Sequence, residues 1–135
     1  MLVKTDEVIL DTNVILRYLL RDLEEQYVIV CNKLKKLKQI HGSALVFGEV
    51  VAECIHVMEK LYKMTRTETV SVLKPLLQTE VIVLENKEVV LKALSMYEST
   101  RLSYVDCLII QNSWRRDVEV FTFDKKLSGA SERIS

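Results

Sequence analysis

The sequence has little of the two residues that most often interrupt regular structure, with 3 glycines and 1 proline among 135 residues. Hydrophobic residues make up 49% of the chain. This composition excludes a disordered chain and is typical of a compact, helix-rich fold. A chain of this length buries roughly two-thirds of its unfolded surface as one domain. We therefore predict a single domain over residues 1–135.

Cysteine and histidine are also scarce, with 3 and 2 copies. Cys31, Cys54 and Cys107 are odd in number, far apart and never arranged as C-x-x-C. Neither a disulfide framework nor a structural zinc site is expected from such spacing. His41 and His56 are too scattered to complete a zinc-binding set. Buried free thiols are therefore the default expectation for the three cysteines.

A net charge of either sign is absent, because 19 basic and 19 acidic side chains cancel. A polyanion would have to be bound by local basic residues or through a metal ion, since no overall basic field attracts it. Arg17, Arg21, Arg115 and Arg116 are candidates for such local contacts. No apolar run reaches membrane-spanning length, and the N-terminus carries no apolar leader. We therefore expect a cytoplasmic protein with no membrane partner.

What the sequence does contain is a series of short apolar runs that alternate with helical patterns. This alternation predicts an α/β fold with a parallel central sheet of four to five strands, covered by helices. Val8–Leu10 is expected to be a strand buried on both faces. Ala44–Phe47, Val81–Leu84 and Val120–Phe123 are predicted as three further strands. The polar tail Lys125–Ser135 adds at most a short edge strand as the fifth.

Helical patterns fill the intervals between these strands. Thr65-Arg66-Thr67-Glu68 has the form of a capping box, in which a threonine and a glutamate three residues later exchange hydrogen bonds at a helix start. The other predicted helices follow Asp11 and cover Leu23–Ile40, Gly48–Tyr62, Asn86–Tyr97 and Ser103–Arg116.

Two of the predicted strands end on an aspartate, Asp11 and Asp124. Because parallel strands place their carboxyl ends at one edge of a sheet, these side chains are expected to lie close together. Asp106, in the first turn of a predicted helix, and Glu53, on the helix after the second strand, are expected near the same edge. Each also has a structural alternative. Asp11 and Asp106 can serve as helix-capping residues, and Glu53 can belong to a solvated helix face.

A shared position for these four acids favours a metal site. Clustered carboxylates repel and raise one another's pKa, and a divalent cation relieves that repulsion. Carboxylate and water oxygens select Mg²⁺ or Mn²⁺ rather than zinc. Such an ion activates water towards a phosphorus centre. No nucleophilic triad or phosphate-binding glycine loop offers a competing chemistry.

The segments that carry the acids resemble the four acidic motifs of the PIN-domain ribonucleases, and most closely those of the VapC-type toxins of prokaryotic toxin–antitoxin pairs. They follow the family's order and spacing from Val8 to Leu127. The four segments are Val8-Ile9-Leu10-Asp11-Thr12-Asn13, Val51-Ala52-Glu53, Tyr104-Val105-Asp106-Cys107-Leu108 and Phe121-Thr122-Phe123-Asp124.

The resemblance implies a three-layer PIN-like fold with a five-stranded parallel sheet, and cleavage of RNA that depends on Mg²⁺ or Mn²⁺. It also implies a homodimer and a cognate antitoxin that blocks the site. The residues that it implies are the metal-site acids Asp11, Glu53, Asp106 and Asp124, with Thr122 and Asn13 at polar positions that hold water or orient the acids.

Periodicity does not distinguish Glu53 from Glu49, which lies one turn earlier on the same helix face. Glu49 is nearer the helix start, where the helix dipole favours a carboxylate whatever its function. The match of Val51-Ala52-Glu53 to the family motif favours Glu53 as the functional acid.

Other families share parts of this pattern. A haloacid-dehalogenase-type phosphatase also begins with a strand that ends on aspartate, but it needs a second aspartate where this chain has Asn13. A receiver domain needs an aspartate after its third strand, and here that strand is followed by Glu85. The open alternative is a catalytically idle PIN-like module that binds RNA or a protein. Metal-dependent turnover of RNA distinguishes it from a nuclease.

Overall fold

The chain divides into two compact units between Glu85 and Asn86. The computed structural model describes residues 6–132. The N-terminal unit contains strands and helices, and the C-terminal unit is helical over its described residues. Residues 1–5 and 133–135 lie outside the described residues. The N-terminal stretch for which no apolar leader is predicted includes residues 1–5. The single domain expected from chain length stays a prediction.

The N-terminal unit alternates strands with helices, and its strands are parallel and hydrogen-bonded in the order β1-β2-β3. The predicted fold class, α/β with a parallel sheet and helices, is confirmed. In chain order the elements are β1 (Glu7–Ile9), α1 (Thr12–Leu20), α2 (Glu24–Gln39), β2 (Ser43–Val46), α3 (Gly48–Lys60), α4 (Arg66–Gln78) and β3 (Ile82–Leu84).

The register of the sheet fixes where the following helices begin. Ile9 pairs with Leu45, and the N–H of Leu10 donates to the Leu45 carbonyl at 2.9 Å. Because β1 and β2 are parallel neighbours, the chain leaves both at the same edge of the sheet. That edge therefore holds Asp11 and the first turn of α3.

The two faces of this sheet differ in burial. Ala44 and Val46, on one face of β2, are 0% and 2% exposed. Side chains alternate between the faces along a strand, and Ile9 and Val83 on the opposite face are 62% and 45% exposed. The prediction that Val8–Leu10 is buried on both faces is therefore wrong, because this opposite face is only partly covered.

The C-terminal unit contains three helices in its described part: α5 (Lys87–Ser99), α6 (Tyr104–Arg116) and α7 (Lys125–Ser131). α6 packs against both of the others. Between α5 and α6, the rings of Tyr97 and Tyr104 meet edge to face with centroids 6.4 Å apart. Trp114 Nε1 donates to the Ser131 carbonyl at 2.7 Å, which joins the end of α7 to α6.

The described sheet has three strands, fewer than the four to five predicted. Val120–Phe123, predicted as a strand, has no regular secondary structure, and its Phe121 and Phe123 are 86% and 95% exposed. Aromatic and β-branched residues favour a strand only where a neighbouring strand offers partners. Here the chain turns back onto α6 instead. The Val118 N–H donates to the Ser113 carbonyl at 3.0 Å, and the Ser113 hydroxyl donates to the Val118 carbonyl.

The tail after Asp124 is also different from the expectation. Lys125–Ser131 forms α7 instead of an edge strand, because the Asp124 side chain caps the start of a helix there. Over residues 6–132 no fifth strand forms.

Helix lengths in the structure are moderate. The longest helix, α2, has 16 residues, and its buried residues are Val30 and Leu37. No helix within the described part of the chain is both long and apolar enough to cross a membrane.

Candidate functional site

Asp11 follows β1 directly and caps α1. Its backbone is extended, with φ −89° and ψ 173°, and its Oδ1 accepts a hydrogen bond from the Val14 N–H at 2.9 Å. The capping alternative is therefore confirmed for this residue. The side chain is nevertheless exposed, and a carboxylate has a second oxygen that the cap does not use. Asp11 can therefore cap its helix and bind a cation at the same time.

Glu53 lies in the second turn of α3, and its side chain is exposed. α3 begins at Gly48, shortly after β2, and it packs against α1. Glu49, one turn earlier, is exposed as well. Within residues 6–132 neither glutamate forms an ion pair. The exposure of Glu53 is consistent both with a solvated helix face and with a role as a metal ligand. The residues around Glu53 help to distinguish these two interpretations.

Cys54 is a buried residue of α3 that directly follows the candidate acid Glu53. Its side chain is 0% exposed, and its Sγ donates to the Thr12 carbonyl at 3.9 Å. Burial raises the pKa of the Cys54 thiol to about 12, and the negative charges of Glu53 and Asp11 contribute to the rise. The hydrogen bond places the Cys54 thiol against the residue that follows Asp11, and Cys54 itself follows Glu53 in the chain.

Asp11 and Glu53 fit the ligand preferences of Mg²⁺ and Mn²⁺. Mg²⁺ usually keeps several water ligands and binds proteins through one or two carboxylates. Two exposed carboxylates of hard oxygen donors supply such a pair. Within the described residues, no group of three or more histidine, cysteine, aspartate or glutamate side chains is placed to hold a metal ion. The convergence of all four acids on one ion stays a prediction.

Asp106 lies in the first turn of α6 and is half-buried. Its N–H donates to the Ser103 hydroxyl oxygen at 3.1 Å, which is one half of a capping box. The return bond from the Ser103 N–H to the acid is not formed in the part of the chain that the structure describes. The capping-box alternative is therefore wrong for the Asp106 carboxylate, which remains available to another partner.

Asp124 precedes α7 and caps it. Its Oδ1 accepts hydrogen bonds from the N–H groups of Lys126 and Leu127, at 2.9 and 3.1 Å. Thr122 Oγ1 accepts a hydrogen bond from the Asp124 N–H at 3.0 Å. The structure thus brings Thr122 and Asp124 into direct contact, although at a helix start and not at a strand end.

Asn13 is the second residue of α1, and its side chain is exposed. It lies two residues after Asp11 and makes no side-chain hydrogen bond among the described residues. Its predicted role beside the acids stays a prediction.

Two of the four arginines predicted to contact a polyanion have acidic partners within the chain. Arg17 lies 3.4 Å from an Asp22 carboxylate oxygen. Arg21 donates two hydrogen bonds of 2.9 Å to Glu24, which raise the pKa of the guanidinium. Both pairs lie around the turn between α1 and α2. The other two arginines, at the end of α6, are exposed.

Cys54 is the residue that the sequence pattern did not single out. The three cysteines are free, and Cys54 and Cys107 are buried as expected. Cys31 is only half-buried, so the expectation of burial is wrong for this residue. The sequence does contain a pattern that could have indicated Cys54: a cysteine directly follows a candidate acid twice, at Glu53-Cys54 and at Asp106-Cys107. Successive helix residues point about 100° apart, so a buried cysteine directly follows an exposed acid at Glu53 and a half-buried acid at Asp106.

Comparison with known proteins supports the motif resemblance. A protein-family model described as PIN domain matches residues 8–132. A curated protein of Aquifex aeolicus (strain VF5), named VapC ribonuclease, is 28% identical over 100 residues, which cover 74% of this chain and 73% of that protein. No solved structure matches the chain significantly.

Proposed function

This chain belongs to the PIN-domain family, and from that premise we propose that it is an endoribonuclease that depends on Mg²⁺ or Mn²⁺. The name of the Aquifex aeolicus relative, VapC ribonuclease, supports RNA as the substrate. The observation that carries the proposal is the pair of exposed carboxylates, Asp11 and Glu53, beside one buried thiol. Such a pair offers the oxygen ligands that these ions require.

In this proposal Asp11 and Glu53 hold the ion, and the family motifs support Asp106 and Asp124 as further metal-site acids. The two capping acids are held in place by backbone amides. Val14 N–H holds one oxygen of Asp11, and two N–H groups at the start of α7 hold one oxygen of Asp124. In each case the second oxygen is left for a ligand.

A cation held by these acids would supply Lewis-acid chemistry to the phosphodiester and would offset its negative charge. Without it, the acids repel the RNA backbone. Thr122 and Asn13 are proposed to orient the acids or a water molecule. The hydrogen bond between Thr122 and the Asp124 backbone supports this role for Thr122.

We also propose that the chain is the toxin of a toxin–antitoxin pair. In this role it acts in the cytoplasm as a homodimer, and a cognate antitoxin blocks its site. The name of the relative and the four family motifs support this role. Co-purification with the product of a small neighbouring gene, followed by loss of RNA cleavage in the complex, is the expected result.

The nuclease proposal is tested by comparing the parent with Asp11→Asn. Asparagine is also a good N-cap, so this change removes the charge while it preserves the start of α1. We expect the parent to cleave RNA with Mn²⁺ or Mg²⁺ and to stop when a chelator is added. We expect Asp11→Asn to be inactive. The matched control is Asp117→Asn, at an exposed position after α6, which should keep parental activity.

Metal binding gives a second readout that does not depend on activity. An ion that binds only the folded state stabilises it by about 2.7 kcal/mol at a hundredfold excess over its Kd. The parent melting temperature should therefore rise with Mn²⁺ concentration, and that of Asp11→Asn should not. A parent that neither responds to the two ions nor cleaves RNA contradicts the proposal.

A catalytically idle module that binds RNA or a protein is the second candidate. The observation that favours it is that no three potential metal ligands lie together among residues 6–132. RNA binding without turnover at any concentration of either ion would establish this function in place of the nuclease.

A further inference from the structure

We infer that Cys54 is a positioning residue, whose buried side chain sets the separation of Asp11 and Glu53 by joining α3 to the start of α1. This inference rests on the proposed function, because it concerns the same pair of acids. Cys54 does not touch the substrate in this assignment. It acts only through the two carboxylates.

The first argument is the contact itself. The Cys54 thiol donates to the carbonyl of Thr12, with the sulfur and oxygen 3.9 Å apart. Thr12 is bonded to Asp11 in the chain, and Cys54 is bonded to Glu53. The hydrogen bond therefore joins the immediate neighbours of the two acids and links the backbone positions from which their side chains extend.

The second argument is packing. Cys54 is completely buried, and so are Val51 and Met58 on the same face of α3. On α1, which packs against α3, Ile15 and Leu16 are 1% and 2% exposed. Protein interiors are close-packed, so a change of volume at one position shifts its neighbours. A different side chain at position 54 therefore moves the start of α1 relative to α3.

The third argument concerns the chemistry of sulfur. Mg²⁺ and Mn²⁺ prefer oxygen ligands, whereas thiolate sulfur selects softer metals. Cys54 is thus suited to support the carboxylate ligands and not to bind the ion. Outer groups that hold metal ligands in place typically contribute about tenfold to a hundredfold to metal affinity.

The test measures Mn²⁺ affinity by calorimetry on the full-length chain without RNA. Cys54→Ala removes the donor and the sulfur, and we expect about tenfold weaker binding, at the lower end of the range for such groups. Cys54→Ser keeps a donor of similar size, and we expect it to restore most of the affinity. The matched control is Ile55→Val, which removes one buried methylene from the next residue of α3 and should bind Mn²⁺ like the parent.

Cleavage of RNA provides the corresponding kinetic readout. With subsaturating Mn²⁺, Cys54→Ala should show a lower kcat and an unchanged KM for RNA, because the residue acts on the metal ligands and not on the substrate. Should the alanine variant fail to fold, Cys54→Val takes its place. Valine fills the space without a donor, and the same loss of affinity is expected.

Two results overturn the inference. One is a Cys54→Ala protein that melts at a lower temperature but binds Mn²⁺ as tightly as the parent, which reduces Cys54 to a core residue. The other is an equal loss of affinity in Cys54→Ala and Ile55→Val, which assigns the effect to any buried cavity. Failure of the parent itself to bind Mn²⁺ is a different outcome, because it rejects the proposed function along with the inference.

Discussion

The starts of α4 and α6 carry the same sequence pattern and use it differently. Each has a hydroxyl residue followed three positions later by an acid, Thr65 with Glu68 and Ser103 with Asp106. At α4 both bonds of the capping box form, at 3.0 and 3.1 Å. At α6 only the bond from the Asp106 N–H to Ser103 forms. Aspartate is one methylene shorter than glutamate, so its carboxylate reaches back less easily.

This difference shows that a helix-start motif does not by itself tell whether an acid stabilises the backbone or serves a site. The hydrogen bonds with Thr65 hold the pKa of Glu68 below its ordinary value. That carboxylate is occupied by its own helix. Asp106 has no such bond within the described residues and is one of the proposed metal-site acids. Substitutions at the two positions should therefore have opposite effects on stability and on activity.

The largest effect is expected on α3, where Glu49 and Glu53 share one helix face. Here too, one acid is expected to stabilise the helix and the other to serve the site. Glu53→Gln should reduce RNA cleavage to background, because it removes one carboxylate of the pair beside Cys54. Glu49→Gln should keep most activity, because a carboxylate near a helix start is favoured by the dipole regardless of function. Cleavage rates at saturating Mn²⁺ decide between them. Parental activity in Glu53→Gln would exclude it as a metal-site acid.

The second-largest effect is expected when the acid in the first turn of α6, Asp106, is compared with the acid in the first turn of α4, Glu68. Asp106→Asn should lower kcat/KM for RNA by at least about 100-fold, a typical cost of losing one electrostatic group at a reaction centre. Its melting temperature should fall less than that of Glu68→Ala, because Asn retains the backbone N–H that bonds Ser103 and only the attraction of the carboxylate to the helix dipole is lost. Glu68→Ala should do the reverse and lower the melting temperature while kcat/KM stays parental. If both variants lose stability and neither loses activity, the distinction between the two helix starts is wrong.

A smaller effect is expected from the capping hydroxyls. Replacing an N-cap Ser or Thr by Ala typically costs about 1 kcal/mol. Thr65→Ala should cost more than Ser103→Ala, because the Thr65 hydroxyl belongs to a complete capping box and Ser103 to half of one. Denaturant unfolding at constant m-value measures the two costs. A greater loss for Ser103→Ala would mean that the half-formed box is the stronger cap.

The smallest effect is a dependence on pH. Because the pKa of Glu68 is lowered in the folded state, its ionised form contributes stability above the unfolded pKa. This contribution is lost as the pH falls through the folded value. Glutamine also serves in a capping box, so Glu68→Gln keeps the geometry and lacks this titration. Between neutral and acidic pH, the melting temperature of the parent should therefore decrease more than that of Glu68→Gln. Parallel curves would contradict the expectation.

The sequence predicted the features that depend on local signals. The apolar runs of β1, β2 and β3 and the capping box at Thr65 are readable because each signal lies within a few residues. Val120–Phe123 carries an equally strong strand signal, but a strand also needs a neighbouring strand, which no local pattern names. Its residues instead follow a turn that is bonded back to α6 through Ser113 and Val118.

The same limit applies to the candidate site. Asp11 could be placed at the sheet edge because it follows β1 directly, and its capping role follows from its residue type. The contact of Cys54 with Thr12, the neighbour of Asp11, depends on how α1 packs against α3, which periodicity does not specify. Likewise, the Asp106 carboxylate does not accept a hydrogen bond from the Ser103 N–H, whereas Glu68 accepts one from Thr65. This difference depends on the length of the side chain and not on the spacing of residues in the sequence.

Because Trp114 is hydrogen-bonded to Ser131, its intrinsic fluorescence is a probe of the packing of α7 against α6. Trp114 is the one tryptophan in the sequence, so its fluorescence has a single source. Its indole N–H is bonded to the carbonyl at the end of α7. Detachment of α7 would transfer that N–H to water and shift the emission to longer wavelength. Since Asp124 caps the start of α7, loss of this helix after a substitution at Asp124 can be followed by fluorescence without attaching a label.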